Sequence, residues 1–221
     1  MGDAASGATI RFEPESLTVG PESSAVETLH FRRPTSLNES RIPVYSGFVT
    51  INGSAGDLLS LPYAGIATSM KDVAIVDSVD GYPYLTRSSD ATQSPITANG
   101  TVFILPGNST AFNSTGLPSL VYELAMGSRT VRIDVQPANP REVPRIFGQR
   151  VLGNVPSYPV QNHVRQTMGG IAWNGQLADG SWAPAGKYRF MLRALKIFGN
   201  VTHDHDYEMY TTRVFEIKYA T

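Results

Sequence analysis

Glycine and proline recur so often along this chain that little room is left for a helix. There are 20 Gly and 15 Pro in 221 residues, spread throughout rather than gathered in one linker. Proline deletes a backbone donor and clashes with the preceding helical turn, and glycine costs conformational entropy. No dozen-residue stretch carries apolar side chains at i, i+3, i+4 and i+7 free of these breakers. Apolar residues form short runs, several of them alternating, between Gly, Pro, Asn and Ser. That is the pattern of strands joined by turns.

The runs predict strands at Ala8 to Phe12, Val26 to Phe31, Val44 to Ile51 and Leu58 to Tyr63, with a shorter one at Ser16 to Val19. The Gly/Asn/Asp-rich bridge from Asn52 to Asp57 joins the third and fourth as a hairpin. Asp72 to Val76 and Val102 to Leu105 read as short strands. Between them, Asp77 to Gly100 is polar and reads as an extended, mobile connection. Farther on, strands are expected at Ser119 to Ala125, Thr130 to Val135, Ile146 to Val151, Lys187 to Phe198 and Tyr207 to Tyr219. A weaker one, Val164 to Trp173, is broken at Gly169-Gly170. The fold class is therefore all-β, with a first domain at 8–70, a connecting segment at 71–116 and a second domain at 117–221. The length suits two sandwiches.

The charges nearly cancel, with 18 Lys+Arg against 19 Asp+Glu. Such a balance offers no electrostatic field for nucleic acid, and no nucleic-acid partner is expected. Cysteine is absent, which excludes disulfides, a thiolate nucleophile and a Cys-ligated zinc site. No run approaches the roughly 18 consecutive apolar residues of a membrane-spanning helix. Glycosylation sequons stand at Asn38, Asn52, Asn99, Asn108, Asn113 and Asn200, more than chance usage explains. They point to a secreted or cell-surface glycoprotein.

Two stretches carry a family resemblance. Pro43-Val44-Tyr45-Ser46-Gly47-Phe48-Val49-Thr50-Ile51 followed by Leu59-Ser60-Leu61-Pro62-Tyr63-Ala64-Gly65 resembles the signature of the fibronectin-III-like domain in extracellular subtilisin-like serine proteases, fungal ones in particular. Trp173-Asn174-Gly175, Asp179-Gly180 and Pro184-Ala185-Gly186-Lys187-Tyr188 resemble a hairpin of the next domain in the same proteases, where Asn174 replaces the usual Asp. The resemblance implies two immunoglobulin/fibronectin-III-like sandwiches, the first truncated at its N-terminus, and marks Tyr45, Gly47, Pro62, Tyr63, Gly65, Trp173, Gly175, Asp179, Gly180, Gly186 and Tyr188 as structural. It implies a non-catalytic accessory region that follows a catalytic domain and packs on it in cis. An alternative is a free-standing module that binds carbohydrate or protein, with Trp182 at a turn tip as its first contact.

The catalytic motifs of that family are missing. There is no Gly-Thr-Ser-Met-Ala-x-Pro, and Ala67-Thr68-Ser69-Met70 lacks its flanks. No enzyme activity and no cofactor are expected of this chain. His203 and His205 are the best metal candidates. On a strand they would share one face, with Asp204 and Asp206 on the other, but Gly199-Asn200 favours a solvated hairpin tip. The acids Asp72, Asp77, Asp80 and Asp90 do not have the spacing of a calcium loop and read as solvated.

Overall fold

The fold is taken from a computed structural model that describes residues 8–35, 37–107, 116–139, 143, 145–146 and 148–220, apart from the side chain of Asp80. The chain divides into two compact units, Met1–Met70 and Lys71–Thr221. Both are built from strands, and the helical pieces among the described residues are single 3-10 turns such as Glu39–Arg41 and Asp204–Asp206. The all-β expectation holds.

The first unit holds two antiparallel pairs. β1 (Thr9–Glu13) pairs with β2 (Thr28–Arg32), and β3 (Val44–Asn52) pairs with β4 (Leu58–Ile66) along its whole length. Successive side chains of a strand point to opposite faces. Ile10, Phe12, Leu29 and Phe31 therefore share one face of the first pair. Tyr45, Val49 and Tyr63 share one face of the second. The two faces meet where the Phe31 and Tyr63 rings lie 5.0 Å apart. The alternation shows in the burial of β3: Val49 is 4% exposed, whereas its neighbour Phe48 is 71% exposed. The opposite face of the hairpin carries Val44, Phe48, Leu58 and Ile66, all exposed. Ser16 to Val19 forms no strand.

The second unit is a sandwich. Its strands are β5 (Tyr84–Arg87), β6 (Thr101–Leu105), β7 (Pro118–Leu124), β8 (Ser128–Pro137), β9 (Arg145–Ile146), β10 (Gln149–Arg150), β11 (Gly153–Asn154), β12 (Val160–His163), β13 (Gln166–Ala172), β14 (Gly186–Leu195), β15 (Tyr207–Thr211) and β16 (Phe215–Tyr219). One sheet runs β11-β8-β14-β16-β6, with β12 also on β8 and β15 also on β14. The other runs β13-β7-β5. β9 and β10 form a small separate ladder. Among the described residues the β6–β16 pair is parallel and the other strand pairs are antiparallel.

The core sets a cluster of rings among aliphatic side chains. Trp173, 1% exposed, meets Tyr188, Phe190 and Phe215 edge-on at 5.9 to 6.3 Å. Leu85, Phe103, Leu120, Tyr122, Ile133 and Leu192 are among the side chains that pack with them. Burying a large apolar side chain stabilises a fold by about 1.5–3 kcal/mol.

The segment 71–116, expected to link two domains and to carry short strands, is part of the second unit itself. It supplies β5 and β6, and its Ile75, Val76, Leu85, Phe103 and Leu105 are core residues of the second unit. Asp72 to Val76 forms no strand. Val76 makes one isolated bridge to Leu124, and the Ile75 and Val76 amides donate to the Glu208 carboxylate at 2.8 and 2.9 Å. Tyr207 to Tyr219 is two strands. At the break, Thr212 exchanges bonds with Phe190, its amide donating to the Phe190 carbonyl and its hydroxyl accepting from the Phe190 amide. β15 then lies along the far half of β14 and β16 along the near half.

Candidate functional site

The paired residues of the first motif explain themselves in the β3–β4 ladder. Tyr45 stands opposite Gly65, and Gly47 stands opposite Tyr63. Each tyrosine ring lies across the glycine facing it. A Cβ added at Gly47 would meet Tyr63 ring atoms at 2.5 to 2.9 Å, and one at Gly65 would meet the Tyr45 ring. The glycines are thus required by close approach rather than by turn geometry. The rings cover backbone that glycine leaves bare, an arrangement known to stabilise strand glycines. Pro62 lies opposite Phe48 on the other face, in a two-stranded ladder whose edges tolerate a missing donor.

The second motif forms the turn between β13 and β14. The Trp173 indole N–H donates to the Gln176 carbonyl at 2.6 Å, and the Asn174 side chain accepts the Gln176 amide at 3.0 Å. Asn174 therefore makes the cap that an aspartate would make. Gly175 has φ +101, and a side chain there would strike the Tyr219 hydroxyl at 2.6 Å. Asp179 accepts the Ser181 hydroxyl and amide at 2.6 and 2.9 Å, bonds that hold its carboxyl below the usual range. Gly180 follows with φ +86. Gly186 opens β14, and the Tyr188 hydroxyl donates to the Pro184 carbonyl at 2.8 Å. Burial pushes the Tyr188 phenol up.

Trp182 departs from expectation. It is half-buried, bridges to Gln176 and sets its ring edge-on to Tyr219 at 6.3 Å. A turn tip offering an open indole to a sugar is not what the structure holds. The Asp77 to Gly100 stretch, expected to be mobile, carries β5 and the buried Leu85 and Thr86. In its loop Asp90 accepts Thr92 Oγ1 at 2.6 Å, the Thr92 amide at 2.9 Å and the Ser94 amide at 3.0 Å, and these bonds depress its carboxyl. Asp77 is spent in the same manner on the Val79 amide. Among the described residues Asp72, Asp77 and Asp90 do not converge on a common point.

The sequence reading missed a buried ion pair. Arg193 and Asp134 are both fully buried, and Arg193 grips the carboxylate through Nε at 2.8 Å and Nη2 at 2.7 Å. Arg132 approaches the other carboxylate oxygen at 3.6 Å. Burial pushes the Asp134 carboxyl up, and the two guanidinium groups oppose that shift. Asp204 stands 3.7 Å from Arg193 and accepts the Gln149 amide at 2.8 Å. The available signal was Arg193 inside the apolar run Phe190 to Leu195. A charge in a strand buried on both faces must be paired.

The four histidines sit in three places. His30 lies 3.2 Å from Glu13 on the exposed side of β1–β2. His163 meets the buried Tyr122 hydroxyl at 3.2 Å, and that hydroxyl pairs with Tyr158 at 2.8 Å. His203 and His205 share the β14–β15 loop, where a 3-10 turn over Asp204–Asp206 replaces the strand that would have alternated them with the acids. Their rings stack with centroids 5.3 Å apart. The turn sends Asp204 toward Arg193 and brings Asp206 to the imidazoles, 3.7 Å from His203 Nδ1 and 3.5 Å from His205 Nε2.

Of the six sequons, Asn108 and Asn113 lie outside the described residues. Asn38 and Asn200 are exposed, and each accepts both the amide and the hydroxyl of the Ser or Thr two residues on. Asn52 ends β3 and is exposed. Asn99 accepts the Val214 amide at 3.1 Å through its side-chain carbonyl. It lines a cleft of about 670 Å³ together with Tyr84, Arg189 and Arg213.

The first unit and the first motif coincide with a family match. Residues 1–64 match the Fn3-like domain. A search of curated proteins finds no match to the chain. The Fn3-like match spans the reciprocal Tyr–Gly pairing of β3 and β4 almost to its end, Gly65 being the first residue beyond it. No helix among the described residues is long and apolar enough to cross a membrane.

Proposed function

We propose that the chain is the non-catalytic accessory region of a secreted subtilisin-like serine endopeptidase of fungal type, in which its β units support the catalytic domain in cis and shape access of protein substrates. The observation that carries this reading is the Fn3-like match at residues 1–64, a domain found in the C-terminal regions of such proteases. It joins with the Tyr45–Gly65 and Gly47–Tyr63 pairs that give the motif its physical sense. The absence of the serine, histidine and aspartate motifs from the sequence fits a region that carries no bond-breaking machinery of its own. In this reading the exposed Val44, Phe48, Leu58 and Ile66 face is where a neighbouring domain of the same polypeptide packs. The exposed sequons at Asn38, Asn52 and Asn200 fit export. The competing carbohydrate-binding reading loses its first contact, because Trp182 is packed against Tyr219.

The transcript upstream of the codon for Ala8 tests the proposal. The expected result is a continuous reading frame encoding Gly-Thr-Ser-Met-Ala-x-Pro, and a secreted product that cleaves casein and is stopped by a serine-protease inhibitor. An in-frame stop codon directly upstream, with no such motif, would overturn it.

A further inference from the structure

The β14–β15 loop is a solvated tip, yet its side chains converge. We infer that His203, His205 and Asp206 form a surface site for a divalent transition-metal ion of the zinc class. The inference does not rest on the accessory-domain reading.

Three ligand atoms, one from each residue, lie within 4.8 Å of one another. Two ligands of a tetrahedral zinc ion, each about 2.0–2.1 Å from it, stand roughly 3.3 Å apart. The 3.5 Å from His205 Nε2 to Asp206 Oδ1 already approaches that spacing, and His203 Nδ1 stands 3.7 Å from the other oxygen of the same carboxylate, so small side-chain rotations would bring the three ligands together. The backbone is fixed by its own bonds. The Asn200 amide donates to Asp206 Oδ2 at 2.8 Å, the Asp206 amide to the His203 carbonyl at 3.1 Å, and the Lys196 amide to the Asp206 carbonyl at 2.9 Å. The Tyr207 hydroxyl anchors the Val201 carbonyl at 3.0 Å. Asp206 Oδ1, which faces His205 Nε2, is the oxygen to serve as the ligand, while Oδ2 keeps the Asn200 amide.

The donor set selects the ion. Two imidazoles and one carboxylate suit zinc, nickel or copper, whereas calcium and magnesium require a shell of oxygens. Both imidazoles are exposed, so the remaining coordination positions open to water. Asp204 is excluded, because it is directed to Arg193 and Gln149.

The test uses the full chain with zinc chloride, and with cobalt chloride as a spectroscopic stand-in. Calorimetry is expected to give one zinc ion per chain with a micromolar dissociation constant, and cobalt to give visible absorption bands of low-coordinate geometry. His203→Ala, His205→Ala and Asp206→Asn should each weaken zinc binding by about ten-fold or more, as even outer-shell changes commonly do. His163→Ala should bind as the parent does. Nitrogen-15 spectra of the unaltered chain supply a readout independent of any variant's folding. Zinc should move the His203 and His205 ring resonances and leave those of His30 and His163 in place. Absence of binding heat, or equal perturbation of all four histidines, would overturn the inference.

Discussion

The Tyr45–Gly65 and Gly47–Tyr63 pairs show how a family motif reduces to steric necessity. The Tyr63 ring cannot simply swing away from a new methyl group at position 47, because Phe31 lies on it at 5.0 Å. Gly47→Ala is therefore expected to destabilise the first unit by about 1–3 kcal/mol, the usual cost of overpacking. In a Tyr63→Ala background the same substitution should cost almost nothing further, since residues in contact are not additive. Urea unfolding of the four proteins of the cycle measures the coupling, and equal costs in both backgrounds would refute the ring-on-glycine account. The glycines and tyrosines are legible in the sequence as a pattern. Their opposition is not, because it depends on the ladder register, which the hairpin loop sets.

At the scale of elements, strands with a clean apolar alternation are easily read, and β3 and β4 emerge almost as expected. β5 is hidden because Tyr84–Arg87 is short and lies between Gly81, Pro83 and the polar Ser88-Ser89-Asp90, so its environment reads as loop. The long run ending at Tyr219 hides the break at Thr212, since no glycine or proline marks it. The metal-ligand pattern at His203 and His205 is visible, but the inclusion of Asp206 depends on the 3-10 turn, which reverses the partition that a strand would impose. Likewise Arg193 appears as one charge in an apolar run, and only the pairing of β14 with β8 places Asp134 within its reach. Breaking a buried ion pair by removing one partner typically costs about 3–5 kcal/mol, whereas replacing both partners with apolar groups is often neutral. Arg193→Met is expected to fall in that range, and Arg193→Met with Asp134→Leu to recover most of the loss. Chemical denaturation of the second unit, followed by tryptophan fluorescence, reads both. A double variant as unstable as the single one would show that the pair is needed for more than mutual neutralisation.

For the molecule as a whole, stability is divided as unequally as the apolar surface. Among the described residues of the first unit, Val49 and Ala67 are the buried apolar residues, whereas Phe48, Leu58, Leu59, Leu61, Val44 and Ile51 remain more than half exposed. The second unit contains the continuous core around Trp173, Phe190 and Phe215. Hydrophobic burial is the main favourable term of folding, and a unit that buries few large side chains offsets little of its chain entropy. Two strand pairs joined by so few buried side chains are marginal by the same reasoning. The chain should therefore unfold in two steps in urea. Hydrogen exchange should show β1 to β4 exchanging by local opening at low free energy, with β8 and β14 retaining protection up to the main transition. Tryptophan fluorescence isolates the second step, because Trp173 and Trp182 both lie in the second unit. If β3 and β4 stayed protected as long as β14, the first unit would draw stability from packing that its own buried residues do not supply.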